Sequence, residues 1–336
     1  MRQFVPERYS KSEHYRKTSL SLLHLADLTL LVMGMPSNKM IMAVTPIIPR
    51  TSDHLAQAIA LANDLPPLSP LARHLLATMA APGEGPSLRE VASWIEKDIM
   101  TSGKVLALAN SALYGRLVPT LSVRKAVARL GINPLRNLIF HESMTKVWSQ
   151  LPTPARWSSI RFNAHSIATG VFCEIIASAS APELMELGFL AGMFHDTGRL
   201  IIAVLLHDNV EAMEEINRHE HQDLEEVEKE LVGFTHSEVS AMVARSWNLP
   251  LSIETAVRYH ENPAAQPVRE ESDKISLSHI VNAADWFVDC QGFSISGARR
   301  EEDDKLRLLR QFGLGFEDSA VFARFENELE ILLDIL

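Results

Sequence analysis

The stretch of sequence that decides the fold is LGFLAGMFHDTGRLIIAVLL, residues Leu187 to Leu206. It is almost entirely apolar, yet His195, Asp196 and Arg199 stand in its middle. Burying an unpaired carboxylate or guanidinium group costs several kcal/mol. These polar groups therefore need partners inside the fold, which are each other, a metal ion, or water in a cleft.

The remainder of the 336-residue chain predicts an all-α protein. Periodic apolar stretches of 10 to 20 residues recur, and alternating apolar and polar runs bounded by turn pairs are absent. Ser87–Glu90 and Thr235–Glu238 have the spacing of capping boxes, which begin helices. Asn133–Pro134 and Leu249–Pro250 are further predicted helix starts, and Gly131 is a predicted helix stop.

A chain of this length predicts roughly two domains. Prolines and glycines divide the helical stretches into a first half of short helices and a second half that holds longer helices and most of the histidines. The predicted regions are an irregular N-terminal segment (1–52), an N-terminal helical subdomain (53–150), a second helical subdomain (157–295) and a C-terminal helical tail (297–336).

Composition limits the classes of function. The net charge of −10 makes nucleic acid an unlikely partner, because phosphate binding depends on lysine and arginine. Cys173 and Cys290 lie in apolar runs and are predicted to be buried free thiols, as in a reducing compartment. Ser19–Met35 is shorter than the roughly 20 apolar residues of a membrane span. We therefore expect a cytoplasmic protein with no membrane contact.

The first part of the chain raises a separate hypothesis about where translation begins. Four methionines fall between residues 33 and 42, in a segment without helical periodicity. One of them is a candidate start of the natural protein, in which case residues 1 to about 40 would not belong to it.

Six histidine and aspartate residues are candidate metal ligands. Imidazole and carboxylate groups together suit zinc, iron, manganese or nickel ions. The histidine-bearing motifs stand far apart in the sequence, so their side chains would come from different helices of a bundle, which is how metal sites in bundles are built. The candidates are His165, His195, Asp196, His236, His260 and Asp285.

Several of these residues also have a purely structural explanation. His165 can hydrogen bond to the backbone from a helix face, and His236, which follows a capping threonine, can lie at the surface. His260 closes a helix just before a proline, where a cationic histidine favours the helix dipole. Arg199 can neutralise Asp196 as a helical ion pair.

Two blocks of the sequence resemble one known family, the HDOD domain. The first half of the domain is matched by LPPLSPLARHLLATMAAPGEGPSLREVASWIEKDIMTSGKVLALANSALYG (65–115) followed by LSVRKAVARLGINPLRNLIF (121–140). The second half is matched by FLAGMFHDTGRLI, HSEVSAMVARSWNLPLSIETAVRYHE and HIVNAADWF. The resemblance covers about residues 60 to 290.

This resemblance implies an HD-domain-like helical bundle with two helical subdomains, in a bacterial, cytoplasmic module of signal transduction. HDOD domains are relatives of the HD-domain metal phosphohydrolases, and many are thought to be non-catalytic because metal ligands are missing. In this sequence all six candidates fall where the wider HD superfamily places ligands. The resemblance thus implies one or two divalent ions (Fe, Mn, Ni or Zn), or none if the site is vestigial.

Two hypotheses of function follow. The first is a non-enzymatic regulator that binds a protein partner or a small ligand, with the N-terminal segment and the tail helix as partner or homodimer surfaces. The alternative is a metal-dependent phosphohydrolase acting on a nucleotide or cyclic dinucleotide, in which Arg199 stabilises charge on the phosphoryl group. The loop NPAAQPVREE (262–271) lacks the Gly-Tyr-Pro motif of cyclic-di-GMP phosphodiesterases, which argues against that substrate.

Overall fold

The predicted all-helical architecture is confirmed. A computed structural model describes residues 51–80, 86–220, 224–267, 275–297, 309–314 and 319–335, and these contain no β-strand. Two short 3₁₀ turns, Pro182–Leu184 and Pro263–Ala265, join longer helices. The α-helices are α1 (Thr51–Asp64), α2 (Pro70–Ala80), α3 (Leu88–Ile95), α4 (Ile99–Ala109), α5 (Val123–Leu130), α6 (Ile132–Trp148), α7 (Ser159–Ser180), α8 (Met185–Phe194), α9 (Thr197–Leu205), α10 (Val210–Arg218), α11 (Leu224–Leu231), α12 (His236–Ser246), α13 (Leu251–Arg258), α14 (Leu277–Cys290) and α15 (Ser319–Ile335).

The helix boundaries follow the local capping signals closely. Both predicted capping boxes form, at Ser87 before α3 and at Thr235 before α12. Gly131 ends α5 with a φ of 75°, a conformation that favours glycine, and Pro250 directly precedes α13. The cap predicted at Asn133 is two residues late, because Gly131 both ends α5 and caps α6, so that α6 begins at Ile132.

The centre of the fold is the close crossing of α7 and α8. A Cβ atom on Gly192 of α8 would lie 2.8 Å from the Cα atom of Gly170 on α7, so only glycine permits this approach. The crossing brings the His165 region of α7 and the end of α8, next to His195, into contact. Helix α14 packs across both α7 and α8, and α13 packs against α8 and α14.

The predicted division into two subdomains stays a prediction. Residues Arg50–Leu336 form one compact unit, and α1, which was assigned to the first subdomain, packs against α9 and α12 of the second half. The hydroxyl group of Ser246 in α12 donates a 3.0 Å hydrogen bond to the carbonyl oxygen of Ala62 in α1. The predicted N-terminal segment, up to residue 50, and its proposed translation start lie outside the described residues.

The tail helix α15 packs its apolar stripe into the core. Its side chains Phe325, Leu329 and Leu332 are buried, and the ring of Phe325 meets the rings of Phe172 and Phe287 at centroid distances of 5.3 and 5.4 Å. The same chain therefore covers the apolar stripe at these residues, and a role of this helix in binding a partner or a second copy stays a prediction. The two cysteines are buried thiols that form no disulfide bond with each other, as predicted.

One segment of the described chain is long and apolar enough to cross a membrane. It is Pro182–Leu205, with a mean hydropathy of 1.3 over an 18-residue window that is 89% buried inside the fold. The core helices of soluble proteins pass the same test, so the segment is weak evidence for a membrane span.

A buried histidine on α6 makes the stability of the fold sensitive to acid. Burial, and then the positive charge of Lys104, lower the pKa of His141 from 6.5 to about 3. Between those two pH values the unfolded chain binds a proton that the folded chain does not, so stability falls as the pH falls below 6.5. This one group should cost about 2 kcal/mol of unfolding free energy at pH 5 relative to neutral pH.

Chemical denaturation at pH 7.5 and at pH 5 checks this expectation against the His141→Met variant. The variant carries no titratable group at this position, so between these pH values it should lose about 2 kcal/mol less unfolding free energy than the parent chain. An equal loss in both proteins would contradict the assignment of acid sensitivity to His141.

Candidate functional site

The polar pair in the apolar stretch marks a break between two helices. His195 follows the last residue of α8, and Asp196, with φ of −101° and ψ of 11°, precedes the first residue of α9. Both side chains are buried. The break turns both of them into the space between α7, α12 and α14, where partners from those helices meet them.

The first group of partners forms around His165, His195 and Asp285. The Nε2 atoms of His165 and His195 are 3.2 Å apart. An Oδ1 atom of Asp285 lies 3.2 Å from Nε2 of His165 and 3.4 Å from Nε2 of His195. Helices α7 and α14, and the residue that directly follows α8, thus each place one donor atom at a common point.

The second group forms around His236, His260 and Glu261. The Nε2 atoms of His236 and His260 are 3.3 Å apart. An Oε1 atom of Glu261 lies 3.5 Å from the first and 3.8 Å from the second. His236 is the first residue of α12, and the other two follow the end of α13.

Asp196 lies between the two groups. Its Oδ2 atom is 3.6 Å from Nε2 of both His165 and His195. Its Oδ1 atom is 3.4 Å from Nε2 of His236 and 3.7 Å from Nε2 of His260. The structure therefore brings all six predicted ligand residues together, in two groups that share one carboxylate.

The second nitrogen of each imidazole fixes its tautomer. Each Nδ1 atom faces an oxygen that can only accept a hydrogen bond, so each Nδ1 carries the proton and each neutral Nε2 presents a lone pair. The Nδ1 partners are the carbonyl oxygens of Phe293 (3.1 Å, His165), Gly192 (2.6 Å, His195) and Val257 (2.7 Å, His260) and the carboxylate of Glu228 (2.8 Å, His236). Two lone pairs that face each other at 3.2–3.3 Å repel, unless a proton or a metal ion lies between the two nitrogens.

The charges of the cluster also call for cations. Six carboxylates of the described chain belong to it or touch it, against one guanidinium group, an excess of five negative charges when the imidazoles are neutral. The carboxylates are Asp196, Glu220, Glu228, Glu261, Asp285 and Asp289. A buried charge excess of this size is unstable unless positive charge enters it.

The pKa shifts of the cluster reflect the same excess of negative charge. Burial by itself lowers the pKa of His236, but Glu228 and then Asp196 raise it to about 10. Burial likewise lowers the pKa of His165, and Asp285 and Asp289 outweigh it and hold that pKa well above its ordinary value. Burial raises the pKa of Asp196, and His195 and Arg199 hold it well below its ordinary value. The metal-free cluster thus attracts protons, which compete with metal ions for the same nitrogens.

Arg199 is committed to internal ion pairs. One guanidinium nitrogen donates to Oδ2 of Asp196 at 3.2 Å, and another donates to Oε1 of Glu220 at 2.6 Å. Glu220 also accepts a hydrogen bond from the backbone N–H of Ser296 at 3.0 Å. The expected ion pair of Arg199 with Asp196 is present, and Arg199 holds that carboxylate in place while its own side chain is buried.

The structural explanations of the histidines have separate outcomes. His236 is fully buried, so a surface position for it is wrong. His165 makes the expected backbone hydrogen bond, and His260 closes α13 as expected, yet both bonds use Nδ1 and leave Nε2 for the cluster. In these two residues the structural and the ligand explanations hold together.

Sequence reasoning missed four carboxylates of the site. Glu261 directly follows His260, and that adjacency was the available signal, although the residue was interpreted only as part of a helix end. Glu228, Glu220 and Asp289 hold His236, Arg199 and His165 in place from outside the cluster. No spacing rule points to them, since each acts through a contact that only the folded chain makes.

A close backbone approach connects the two groups. A Cβ atom on Gly198 in α9 would lie 2.0 Å from the carbonyl oxygen of His236, and the N–H of Gly198 donates to Oγ of Ser240 at 2.8 Å. The start of α9 therefore lies directly against the start of α12. This approach sets the contact between Asp196 and His236.

The donor set fits divalent metal ions. Two ligands of one ion, each roughly 2.1 Å from it, lie about 3.4 Å apart at a tetrahedral angle, close to the separation of each Nε2 pair. Histidine nitrogens held by outer hydrogen bonds, together with aspartate and glutamate oxygens, are ordinary ligands of zinc, iron, manganese and nickel. The side chain of Glu261, 27% exposed, is the most accessible of the donors, so it marks the side that faces solvent.

Comparison with known proteins gives one matching family and a set of similar folds. The sequence matches the HDOD domain over residues 65–263. It is 23% identical over 205 residues to an uncharacterized protein of Treponema pallidum (strain Nichols), a match that covers 60% of this chain and 39% of that protein. This chain therefore spans well under half the length of that relative.

Three solved structures share the fold. An HDOD domain protein with unknown function from Geobacter sulfurreducens is 21% identical, with a TM-score of 0.65 over 84% of this chain and 97% of that one. A candidate phosphohydrolase from Shewanella amazonensis SB2B is 20% identical, with a TM-score of 0.60 over 84% and 98%. A candidate signal transduction protein from Marinobacter aquaeolei VT8 is 21% identical, with a TM-score of 0.59 over 85% and 64%. At these identities the likeness concerns the fold alone.

Proposed function

This chain belongs to the HDOD family, and we propose that it is a metal-dependent phosphohydrolase whose two ligand groups each hold a divalent ion. The observation that carries the proposal is the arrangement of four Nε2 lone pairs around the shared carboxylate of Asp196. An HD-type site that had lost its function would have no need to keep this donor set complete. The geometry therefore favours the alternative hypothesis over a non-enzymatic regulator.

The residues that would hold the ions divide by group. His165, His195 and Asp285 would hold one, and His236, His260 and Glu261 would hold the other, with one oxygen of Asp196 toward each. Ions bound there would polarise a phosphoryl oxygen and lower the pKa of a water molecule, as hydrolysis of a phosphoester requires.

The surrounding residues of the chain position this donor set. The Nδ1 hydrogen bonds keep each imidazole ring in one orientation and one tautomer. Arg199 holds the Asp196 carboxylate, and because its guanidinium group is already paired twice we propose a positioning role for it in place of direct phosphoryl contact. Burial of all four histidines keeps bulk water away from the donors and strengthens their electrostatic field.

The substrate we propose is a nucleotide or another small phosphoester. Its phosphate would approach from the side of Glu261, the most exposed donor. The first experiment purifies the whole chain without chelator or affinity tag, measures its metal content, and assays phosphate release from nucleoside mono-, di- and triphosphates and cyclic dinucleotides. We expect two equivalents of metal and turnover that a chelator abolishes. Metal-free protein that gains no activity with Fe, Mn, Ni or Zn would contradict the proposal.

A regulatory role through a protein partner is the second candidate, and one surface favours it. Leu117, Val118 and Leu121 are 105%, 75% and 91% exposed, on a loop that hydrogen bonds hold in place. The side chain of Asn110 both donates to Thr120 and accepts from it, at 2.9 and 2.8 Å. A fixed loop that exposes three large apolar side chains is typical of an interaction site.

The charges beside this loop indicate the chemistry of the partner. Arg116, Lys125 and Arg129 line it, and none of the acidic residues in the described ranges does so. A protein segment with acidic and apolar side chains would match this surface, and the cytoplasm of a bacterium is the setting that we propose for the pair.

A genetic comparison separates the two candidate functions. In a deletion strain, a gene carrying Leu117→Asp and Leu121→Asp should fail to restore the normal transcript profile if the loop binds the partner. Ile160→Asp, which alters an exposed apolar residue on α7, is the matched control and should restore it. Full restoration by the loop variant would remove the support for this surface.

A further inference from the structure

A second cavity lies apart from the histidine cluster and shares no residue with it. It is a groove of about 720 Å³, which is within the usual size range of small-molecule sites. Its walls come from α2, from the turn between α3 and α4, and from α6. One wall contains Ser69 and Pro70 of the sequence motif LPPLSP. The proposed hydrolysis assigns no role to this motif.

Hydrogen bonds within the chain hold the floor of the groove in place. The hydroxyl oxygen of Ser143 in α6 accepts a 2.7 Å hydrogen bond from the N–H of Ser69, which joins the motif to the helix below. Both acidic side chains of the groove are already engaged. Glu142 accepts from Lys104 at 3.0 Å and from Thr101 at 3.2 Å, and Asp98 caps α4 through the N–H groups of Met100 and Thr101.

The free charge of the groove is therefore positive. Lys97 and Lys146 line it, are exposed, and have no ion-pair partner within the part of the chain that the structure describes. The chain as a whole carries a net charge of −10, whereas the three lysines and two carboxylates that line the groove sum to +1, so the groove stands out from its surroundings. Lysine is an ordinary binding residue for phosphate.

An aromatic face stands beside these lysines. The half-buried ring of Trp94 lies 5.1 Å from the ring of His74, at an angle of 52°. The Nδ1 atom of His74 donates to the carbonyl oxygen of Pro70 at 2.9 Å, which holds that ring in place. The side chains of Leu71, Met100 and Ile139 supply an apolar lining. A planar ring can stack on such a surface while an anionic group reaches the lysines.

We propose that this groove binds a nucleotide, with the base against Trp94 and the phosphate between Lys97 and Lys146. It is a ligand site distinct from the metal cluster, and neither proposal depends on the other. The probe is adenosine monophosphate, titrated by calorimetry into chelator-treated whole chain, in which turnover is prevented. Adenosine and inorganic phosphate, titrated separately, should each bind more weakly than the intact nucleotide.

Two variants test the two halves of the groove. Trp94→Leu should weaken binding about tenfold or more, the usual effect of losing a stacked base. The double variant Lys97→Glu and Lys146→Glu should weaken nucleotide binding at least as much. Because both lysines are exposed, we expect these substitutions to leave the fold intact. Arg89→Glu with Lys229→Glu makes the same charge change at two exposed basic residues outside the groove and should leave affinity within about twofold.

The results of these titrations distinguish nucleotide binding in the groove from nucleotide binding at the histidine cluster. The proposal is supported if the groove variants lose nucleotide binding while the control pair and Asp196→Asn both keep it. Binding that only Asp196→Asn loses would place the nucleotide at the histidine cluster and overturn it. The absence of saturable binding up to millimolar adenosine, guanosine, cytidine and uridine monophosphates would overturn it as well.

Discussion

Replacing Asp196 with asparagine is expected to remove both metal ions and all hydrolytic activity. Its Oδ2 atom faces the first histidine pair and its Oδ1 atom faces the second, so one substitution neutralises the carboxylate that both groups share. We expect metal affinity to fall at least about 100-fold, since loss of an outer partner alone costs 10- to 100-fold. Elemental analysis after gel filtration, together with phosphate release, measures the result.

Two other substitutions serve as matched comparisons for the asparagine variant. Asp285→Asn removes a donor from the first group only, and Glu261→Gln removes a donor from the second group only. Each should leave one equivalent of metal where Asp196→Asn leaves none. An Asp196→Asn protein that keeps two equivalents would contradict the shared role of this carboxylate.

The stability of the same variant distinguishes a metal site from a purely internal ion-pair network. In the absence of metal, Asp196→Asn relieves part of the excess negative charge but leaves Arg199 with Glu220 alone. If the network served only to stabilise the fold, breaking it would cost about 3–5 kcal/mol of unfolding free energy. We expect the metal-free variant to lose less than this, because the carboxylate is itself surrounded by other negative charges. Denaturant titration of the variant and the parent chain in the presence of chelator measures this loss of unfolding free energy.

Gly198→Ala is expected to destabilise the protein strongly and to disrupt the metal site. The added Cβ atom would lie 2.0 Å from the carbonyl oxygen of His236, a backbone atom that cannot rotate away. The start of α9 and the start of α12 must then separate, which displaces Asp196 from His236. We expect a loss of about 3 kcal/mol or more of unfolding free energy, at the upper end of the cost of overpacking, and a loss of bound metal.

Gly103→Ala is the control for this substitution. Gly103 lies within α4, and a Cβ atom placed on it meets nothing within 4 Å. An alanine there should stabilise the protein by about 0.5–1 kcal/mol, because glycine inside a helix costs conformational entropy. Thermal unfolding of both variants beside the parent chain measures the difference. A Gly198→Ala protein as stable as the parent would show that the two helices can separate without cost.

Local signals in the sequence predicted the helices well, because a helix end depends on residues three or four positions apart. The capping boxes at Ser87 and Thr235 and the stop at Gly131 all appear where they were predicted. The cap predicted at Asn133 was misplaced by two residues, because Gly131 ends one helix and caps the next, which leaves no room for a separate cap.

The packing partners of helices were predicted less well, because an apolar stripe does not say what covers it. The stripe of α15 was interpreted as a partner surface, but Phe325 lies against Phe172 and Phe287 in the core. Helix α1 was placed with the helices that follow it in sequence, but it packs against α9 and α12. In both cases the contact joins segments far apart in the chain, which local periodicity cannot reveal.

The sequence by itself determined the helical class, the helix ends and the six residues whose types suit a metal ion. Residue chemistry and the resemblance to a family were enough for these, since neither depends on distances between helices. Only the tertiary structure decided that Asp196 lies between two groups, that Glu261 completes the second, and that Glu220, Glu228 and Asp289 hold the others in place. Their positions follow from the glycine contacts between α7 and α8 and between α9 and α12. Those contacts are set by packing across the whole chain.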